Sequence, residues 1–366
     1  MPLWDCFRNS PPPTDRTMPA FRAVLIEHGY SSTELERSII EAAGGTFIDA
    51  ESKPLEEALQ LCESAEVVLC RRLQVTADIL RRLARCRIII RYGVGTDNID
   101  VPAATQLGIM VGHVPVYCVD EVSTHTMALL LACSRRIVAT HFKMKEGGWD
   151  VHRGDPIDRM EGKTLGLVGL GNIGRAVARK VQGWGWRVVA TDPYLDQAVA
   201  NSVGAELMDL ETLCRTSDFI SLHCPLLPET RHLINAERLA QMKASCILIN
   251  TARGPLIDGR ALLSALEKGH ISQAGLDVFE EEPLPPASPF SSHPRLTVTD
   301  HTAWYSEASQ RELQSKAAEE AVRVGTGALP YSLANPEVLK RLGKWSEWVV
   351  PEHVKWQLKR SPIFAV

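Results

Sequence analysis

From Phe21 onward, short apolar runs alternate with amphipathic stretches. "RAVLIEHG" (22–29), "AEVVLC" (65–70) and "RIIIRYG" (87–93) are apolar and end in turns, so they read as strands. Between them, "STELERSIIEAAGG" (32–45) and "TADILRRLARC" (76–86) carry a helical pattern. Apolar strands enclosed by amphipathic helices predict a parallel α/β sheet. Residues 120–149 read as one long helix with a following turn, after which the alternation restarts. "KTLGLVGLG", "WRVVATD", "DFISLHCP", "ASCILINTARG", "QAGLDVF" and "RLTVTD" predict a second, six-stranded parallel sheet. "SEASQRELQSKAAEEAVRVGTG" (306–327) is an amphipathic helix ended by glycine.

Length and charge narrow the class. The 366 residues suggest two domains, and a net charge of −4 gives no nucleic-acid footprint and no basic membrane-binding face. The longest apolar run, "MALLLAC" (127–133), is far short of the roughly 18–20 residues that cross a bilayer. Nine cysteines stand as singletons with no CxxC pair, which argues against zinc and a disulfide framework and fits a reducing cytoplasm. Residues 1–17 read as a disordered leader without the apolar core of a signal peptide. The end of the chain, "KWSEWVVPEHVKWQLKRSPIFAV", is too apolar for a free linker. It reads either as packed on its own subunit or as an arm that reaches a partner subunit or the active-site mouth.

The turn "LGLVGLGNIGRAVA" carries Gly169, Gly171 and Gly174, with Asn172 and Ile173 between the last two. It follows a strand and opens a helix, and the next strand ends on Asp192. That context marks a dinucleotide site. Gly169 permits the tight turn, Gly171 lets the pyrophosphate approach the backbone, and Gly174 permits close helix–strand packing. The helix N-terminus offers unpaired N–H groups to phosphate. Asp192 is placed to accept from the ribose hydroxyls, and its charge opposes a 2′-phosphate, which favours NAD over NADP.

Hydride transfer to a 2-oxo acid needs a cation for the carboxylate, a proton donor, and a carboxylate that favours the donor's charged form. In an open α/β sheet these belong at the carboxyl ends of strands. The chain offers one of each: Arg253 after "CILINTA", Glu282 after "AGLDVFEE" and His301 after "LTVTD". Taken alone, "DHTAWYSEAS" (300–309) reads as a core histidine beside two large aromatics. Three complementary residues at successive strand ends turn that reading toward a proton donor. "LCRRLQ" (69–74) also follows a strand, and its Arg71–Arg72 pair is either a solvated pair or a contact for a second anionic group on the substrate.

Residues from about 21 to 330 resemble the D-isomer-specific 2-hydroxyacid dehydrogenase family. The resemblance rests on "RYGVGTDNID" (91–100), "GLGNIGR" (169–175), "TDPY" (191–194), "INTARGPLID" (249–258), "GLDVFEEEPL" (275–284) and "DHTAWYSE" (300–307). It implies catalytic roles for Arg253, Glu282 and His301, Glu282 being the carboxylate that directly precedes a proline. It implies that Asp277 and the Thr251–Ala252 backbone meet the nicotinamide end. It further implies that the backbone of "RYGVG", which holds Tyr92, Gly93, Val94 and Gly95, binds the substrate carboxylate. Many members follow the histidine with two small residues including glycine. Here "HTAWYSE" is nearer the C-terminal-binding-protein branch, which includes transcriptional corepressors of the same fold. That branch implies substrate contacts for Trp304 and Arg91. Thr124 stands where many members have a glutamate, on the cofactor side, and His223 reads as part of the cofactor wall.

The expected architecture is two Rossmann-like, doubly wound domains. Residues 18–117 and 302–330 form a flavodoxin-like substrate-binding domain, 118–301 the NAD-binding domain, and 331–366 an extension. The resemblance also implies a homodimer with the helix at 120–136 in its interface. The expected chemistry is NAD-dependent reduction of a 2-oxo acid with His301 as general acid. An NAD(H)-sensing binding protein with little turnover is the alternative, since the corepressors keep the same three residues.

Overall fold

The computed structural model describes residues 20–150 and 156–342, so the leader and the tryptophan-rich end of the chain lie outside the described residues. The described residues form two compact units, one of residues 20–117 with 307–342 and one within Cys118–Ser306. The second crossing falls between Ser306 and Glu307, five residues past the expected boundary at 301. The amides of Thr302 and Ala303 are tied to Asp277 of the second unit, which keeps this turn with its own sheet.

In the first unit the strands are β1 (Arg22–Leu25), β2 (Thr46–Asp49), β3 (Val67–Cys70), β4 (Ile88–Arg91) and β5 (Met110–His113). They pair in parallel in the order β2-β1-β3-β4-β5, the flavodoxin-like order. The central β3, "VVLC", is buried throughout, as a strand covered on both faces must be. The helix Glu307–Gly325 returns across this sheet. Glu36 anchors it: fully buried, it accepts from Gln314 Nε2 at 3.0 Å and from the Tyr92 hydroxyl at 3.1 Å. Residues 331–342 pack on the same unit through buried Leu333, Val338 and Leu339.

The second unit holds β6 (Thr164–Val168), β7 (Arg187–Thr191), β8 (Ala205–Leu207), β9 (Phe219–Leu222), β10 (Ile247–Asn250), β11 (Gln273–Leu276) and β12 (Leu296–Val298). The order β12-β11-β10-β9-β6-β7-β8 is all parallel and reverses direction beside β6. In such sheets ligands bind outside the strand ends at that reversal. The sheet has seven strands and not the expected six. β8 is a three-residue edge strand with one buried position, too short for a periodicity signal.

The expected long helix is two helices, Val119–Ser134 and Ile137–Lys145. Arg136 at φ 52 breaks it, a left-handed conformation that α-helical hydrogen bonding cannot continue through. Among the described residues, no helix is long and apolar enough to cross a membrane, and no cluster suited to a metal ion occurs.

Candidate active site

Three loops leave the carboxyl ends of β10, β11 and β12, and each carries one of the residues singled out by pattern. After β10, the fully buried Asn250 folds the chain back on itself. Its Oδ1 accepts from the Ala252 amide at 3.0 Å and its Nδ2 donates to the Arg253 carbonyl at 2.8 Å. Arg253 leaves this turn half-buried. A Cβ on Gly254 would sit 1.9 Å from the Phe279 carbonyl carbon and 2.5 Å from the Glu280 amide nitrogen. Only glycine lets the β10 and β11 loops touch backbone to backbone.

After β11, Glu282 is held at both oxygens. Oε1 accepts from the Phe279 amide at 2.8 Å and Oε2 meets His301 Nδ1 at 2.6 Å. Burial pushes the Glu282 carboxyl up. The hydrogen bond and charge of His301, the Phe279 amide and the charge of Arg253 outweigh it and leave the group below its ordinary value. Nδ1 being committed to Glu282, Nε2 is the atom His301 can present to a ligand. His301 itself sits at φ 57, a left-handed backbone that a non-glycine residue keeps only when its surroundings over-determine it.

Asp277 supplies that constraint. It is fully buried, its carbonyl accepts from the His301 amide at 2.8 Å, and its carboxylate accepts from the Thr302 and Ala303 amides at 2.9 and 3.0 Å. The carboxylate holds the turn that carries His301. Thr251 is also buried, its hydroxyl 2.9 Å from that of Thr126. Trp304 is half-buried and edge-packed on Tyr305 at 5.5 Å.

The glycine turn has the form a pyrophosphate needs. Gly169 lies at φ 93, and a Cβ there would press on His223 and Cys224 backbone atoms at 2.8 Å. A Cβ on Gly174 would come 2.4 Å from the Gly169 carbonyl oxygen, while one on Gly171 would meet nothing within 4 Å. The open ground at Gly171 and the N-terminus of the Asn172–Lys180 helix form a cradle that fits a dinucleotide. Asn172 is exposed there and Ile173 half-buried. Asp192 at the end of β7 ties the cradle together, accepting from the Leu170 amide at 2.9 Å and the Tyr194 amide at 3.0 Å. His223 bonds the Ser221 hydroxyl at 2.9 Å, and burial pushes its imidazole down to about 4, so it is neutral at pH 7. Thr124 is exposed on its helix.

The first unit carries a separate set of anion-seeking groups. Gly93 lies at φ 133, and a Cβ there would fall 1.8 Å from Arg91 Nη1, so glycine lets the arginine fold across its own loop. No described residue accepts the amides of Gly93, Val94 or Gly95. Tyr92 does not belong with them. Its amide donates to the Cys70 carbonyl, its ring is buried and its hydroxyl serves Glu36, which ties it into the core. Arg71 donates to the His28 carbonyl at 2.7 Å and lies over the Tyr30 ring, while Arg72 is exposed.

Pattern reading missed four residues of the second unit's site: His125, Thr126, Asn250 and Thr299. The signal for the first two was present in "STHT", polar positions facing into an otherwise apolar helix.

A family model described as "D-isomer specific 2-hydroxyacid dehydrogenase, NAD binding domain" matches residues 127–303. D-3-phosphoglycerate dehydrogenase of Methanocaldococcus jannaschii is 40% identical over 299 residues, 81% of this chain. The match spans only 57% of that longer relative. Glyoxylate reductase of Korarchaeum cryptofilum is 38% identical over 270 residues, 73% of this chain and 81% of its own. The solved D-lactate dehydrogenase of Aquifex aeolicus, complexed with NAD and lactic acid, superposes with a TM-score of 0.72 at 27% identity, covering 83% of this chain and 93% of that one.

Proposed function

Since the chain belongs to the D-isomer-specific 2-hydroxyacid dehydrogenase family and its second unit contains that family's NAD-binding domain, we propose that it reduces a small 2-oxo acid to the D-2-hydroxy acid. The observation that carries this reading is the His301–Glu282 pair at 2.6 Å, which joins the loops after β12 and β11, the latter next to the β10 loop that carries Arg253. NAD, when bound, supplies the two-electron redox chemistry. His301 gives a proton from Nε2 to the carbonyl oxygen and takes it back in the oxidation direction. Glu282, held ionised, accepts the Nδ1 hydrogen bond that orients the His301 ring. Arg253 pairs with the substrate carboxylate and polarises the carbonyl. Gly169, Gly171, Asn172, Ile173 and Gly174 hold the pyrophosphate, and the Thr251–Ala252 backbone and His223 border the nicotinamide. Asp192 takes the ribose hydroxyls and disfavours a 2′-phosphate.

In the first unit, the Gly93–Gly95 amides and Arg91 are the groups that take the acid's carboxylate, and Arg71 is the one that takes a distal anionic group. Trp304 gives the pocket an apolar wall. A cytoplasmic setting suits the eight described cysteines, all free thiols. NADH absorbance followed against glyoxylate, hydroxypyruvate, phenylpyruvate, oxaloacetate, 2-oxoglutarate and a thioether oxo acid tests the reading. Turnover on at least one is expected. Tight NADH binding without turnover on any of them would overturn it in favour of an NAD(H)-sensing protein.

A second copy of the chain is the partner. The Val119–Ser134 helix, expected in the interface, turns Met127, Leu129, Leu130 and Cys133 into its own unit. The next helix, Ile137–Lys145, has no buried residue and exposes Ile137, Val138, Phe142 and Met144. Such an apolar face marks an interface. Light scattering after gel filtration is expected to give a dimer, and Phe142→Glu a monomer. A monomeric wild type would refute the assignment.

A further inference from the structure

Consecutive residues of the Val119–Ser134 helix grip two of the loops that carry the proposed chemistry. The Thr126 hydroxyl donates to the Val122 carbonyl at 2.8 Å, so across its 2.9 Å contact with Thr251 it is the acceptor. That contact secures the turn leading to Arg253. One position earlier, His125 Nε2 lies 3.0 Å from Thr299 Oγ1. The Thr299 hydroxyl donates its one proton to Asp277 Oδ1 at 2.6 Å. A hydroxyl has a single proton, so His125 must be the donor toward Thr299, and its Nε2 carries hydrogen. The same nitrogen is 3.6 Å from Asp277 Oδ1.

A continuous line of hydrogen bonds therefore runs from His125 through Thr299 to Asp277, which accepts in turn from the amides on the far side of His301. A buried carboxylate is stable only when its lone pairs are filled. Here one hydroxyl and two amides engage it, with an imidazole beyond. Without the hydroxyl, the carboxylate turns toward another donor and loosens its hold on Thr302 and Ala303. Those amides hold His301 at φ 57, from which its ring reaches Glu282.

We propose that His125 and Thr299 are positioning residues for His301. Acting through Asp277, they keep its imidazole in the one conformation that meets Glu282 on Nδ1 and presents Nε2. Neither residue touches substrate in this scheme. The inference deepens the reading of His301 as proton donor and rests on it.

Thr299→Val removes the hydroxyl at nearly constant volume. A misplacement below 1 Å costs on the order of 10–100-fold, so kcat for oxo-acid reduction is expected to fall by about that factor. NADH affinity and melting temperature should hold, and Thr299→Ser should restore the rate. His125→Leu should behave like Thr299→Val, whereas His125→Gln, whose amide can donate to the threonine, should stay near wild type. Because His125 lies partly exposed on its helix, its variants keep the test open if Thr299→Val misfolds.

A second readout needs no turnover. The His301 Nδ1–H···Glu282 proton should give a far-downfield signal in the proton NMR spectrum of wild type and Thr299→Ser, assigned by its loss in Glu282→Gln. It should broaden or disappear in Thr299→Val and His125→Leu. Unchanged rate and unchanged signal in both variants would overturn the proposal. If wild type turned over no oxo acid while the signal responded as expected, the positioning role would stand and the dehydrogenase reading would fall.

Discussion

Replacing His301 by alanine is expected to lower kcat for oxo-acid reduction roughly 10²–10⁴-fold, the usual contribution of a positioned acid–base group. Nδ1 is committed to Glu282 at 2.6 Å, so Nε2 is the nitrogen left for a ligand, and alanine removes it without filling the space. NADH binding should change little, because the glycine cradle and Asp192 lie on other loops of the sheet. Glu282→Gln should act on the same step with a different signature. The carboxyl is held below its ordinary value, so it is ionised throughout the neutral range. Losing that anion removes the charged acceptor that holds the His301 ring through Nδ1, so kcat should fall while NADH affinity holds. Stopped-flow NADH oxidation would check both variants. Near-normal turnover in His301→Ala would remove it from the chemistry.

The second large effect is expected at a residue with no chemistry of its own. Gly254→Ala would place a methyl group 1.9 Å from the Phe279 carbonyl carbon and 2.0 Å from its oxygen. Both are backbone atoms, so no side chain can turn aside, and the loops carrying Arg253 and Glu282 must separate. Overpacking of this kind costs about 1–3 kcal/mol, which lowers a melting temperature by an amount on the order of 5 °C in a domain of this size. The accompanying shift of Arg253 relative to the His301–Glu282 pair should reduce kcat/KM roughly 100-fold or more. Gly171→Ala is the contrast. Its methyl would meet nothing within 4 Å, so the fold should keep its melting temperature and the loss should appear as weaker NADH binding. Differential scanning calorimetry with and without NADH separates the two. A Gly254→Ala protein with wild-type stability and rate would show that the two loops do not depend on that contact.

The alternation of apolar runs and amphipathic helices was enough to read two parallel sheets, because strands covered on both faces are apolar along their whole length. It failed where that signal is weak. β8 has three residues and one buried position, and the break at Arg136 carries no glycine or proline to announce it. The glycine turn was legible for a different reason. Gly169 and Gly174 answer local backbone demands and Gly171 leaves open ground for a ligand, and such needs leave a fixed spacing in the chain. Arg253, Glu282 and His301 were legible because each stands at the end of a strand, where an open sheet exposes its side chains.

What the sequence by itself determined is therefore the local part: strand ends, the glycine turn, and the residue types that can hold an acid, a proton and a dinucleotide. What only the tertiary structure decided is what those residues do to one another. Tyr92 sits inside a motif that reads as an anion loop, yet its hydroxyl is spent on Glu36 and its amide on Cys70, partners 56 and 22 positions away. Asp277 reads as a cofactor contact, and its carboxylate also holds the turn that bears His301. His125 reads as one polar residue in an apolar helix, yet it meets Thr299 across 174 positions of chain. Hydrogen-bond partners so far apart leave no periodicity and no spacing to read. Their pairing is set by which strand ends the sheet order brings together.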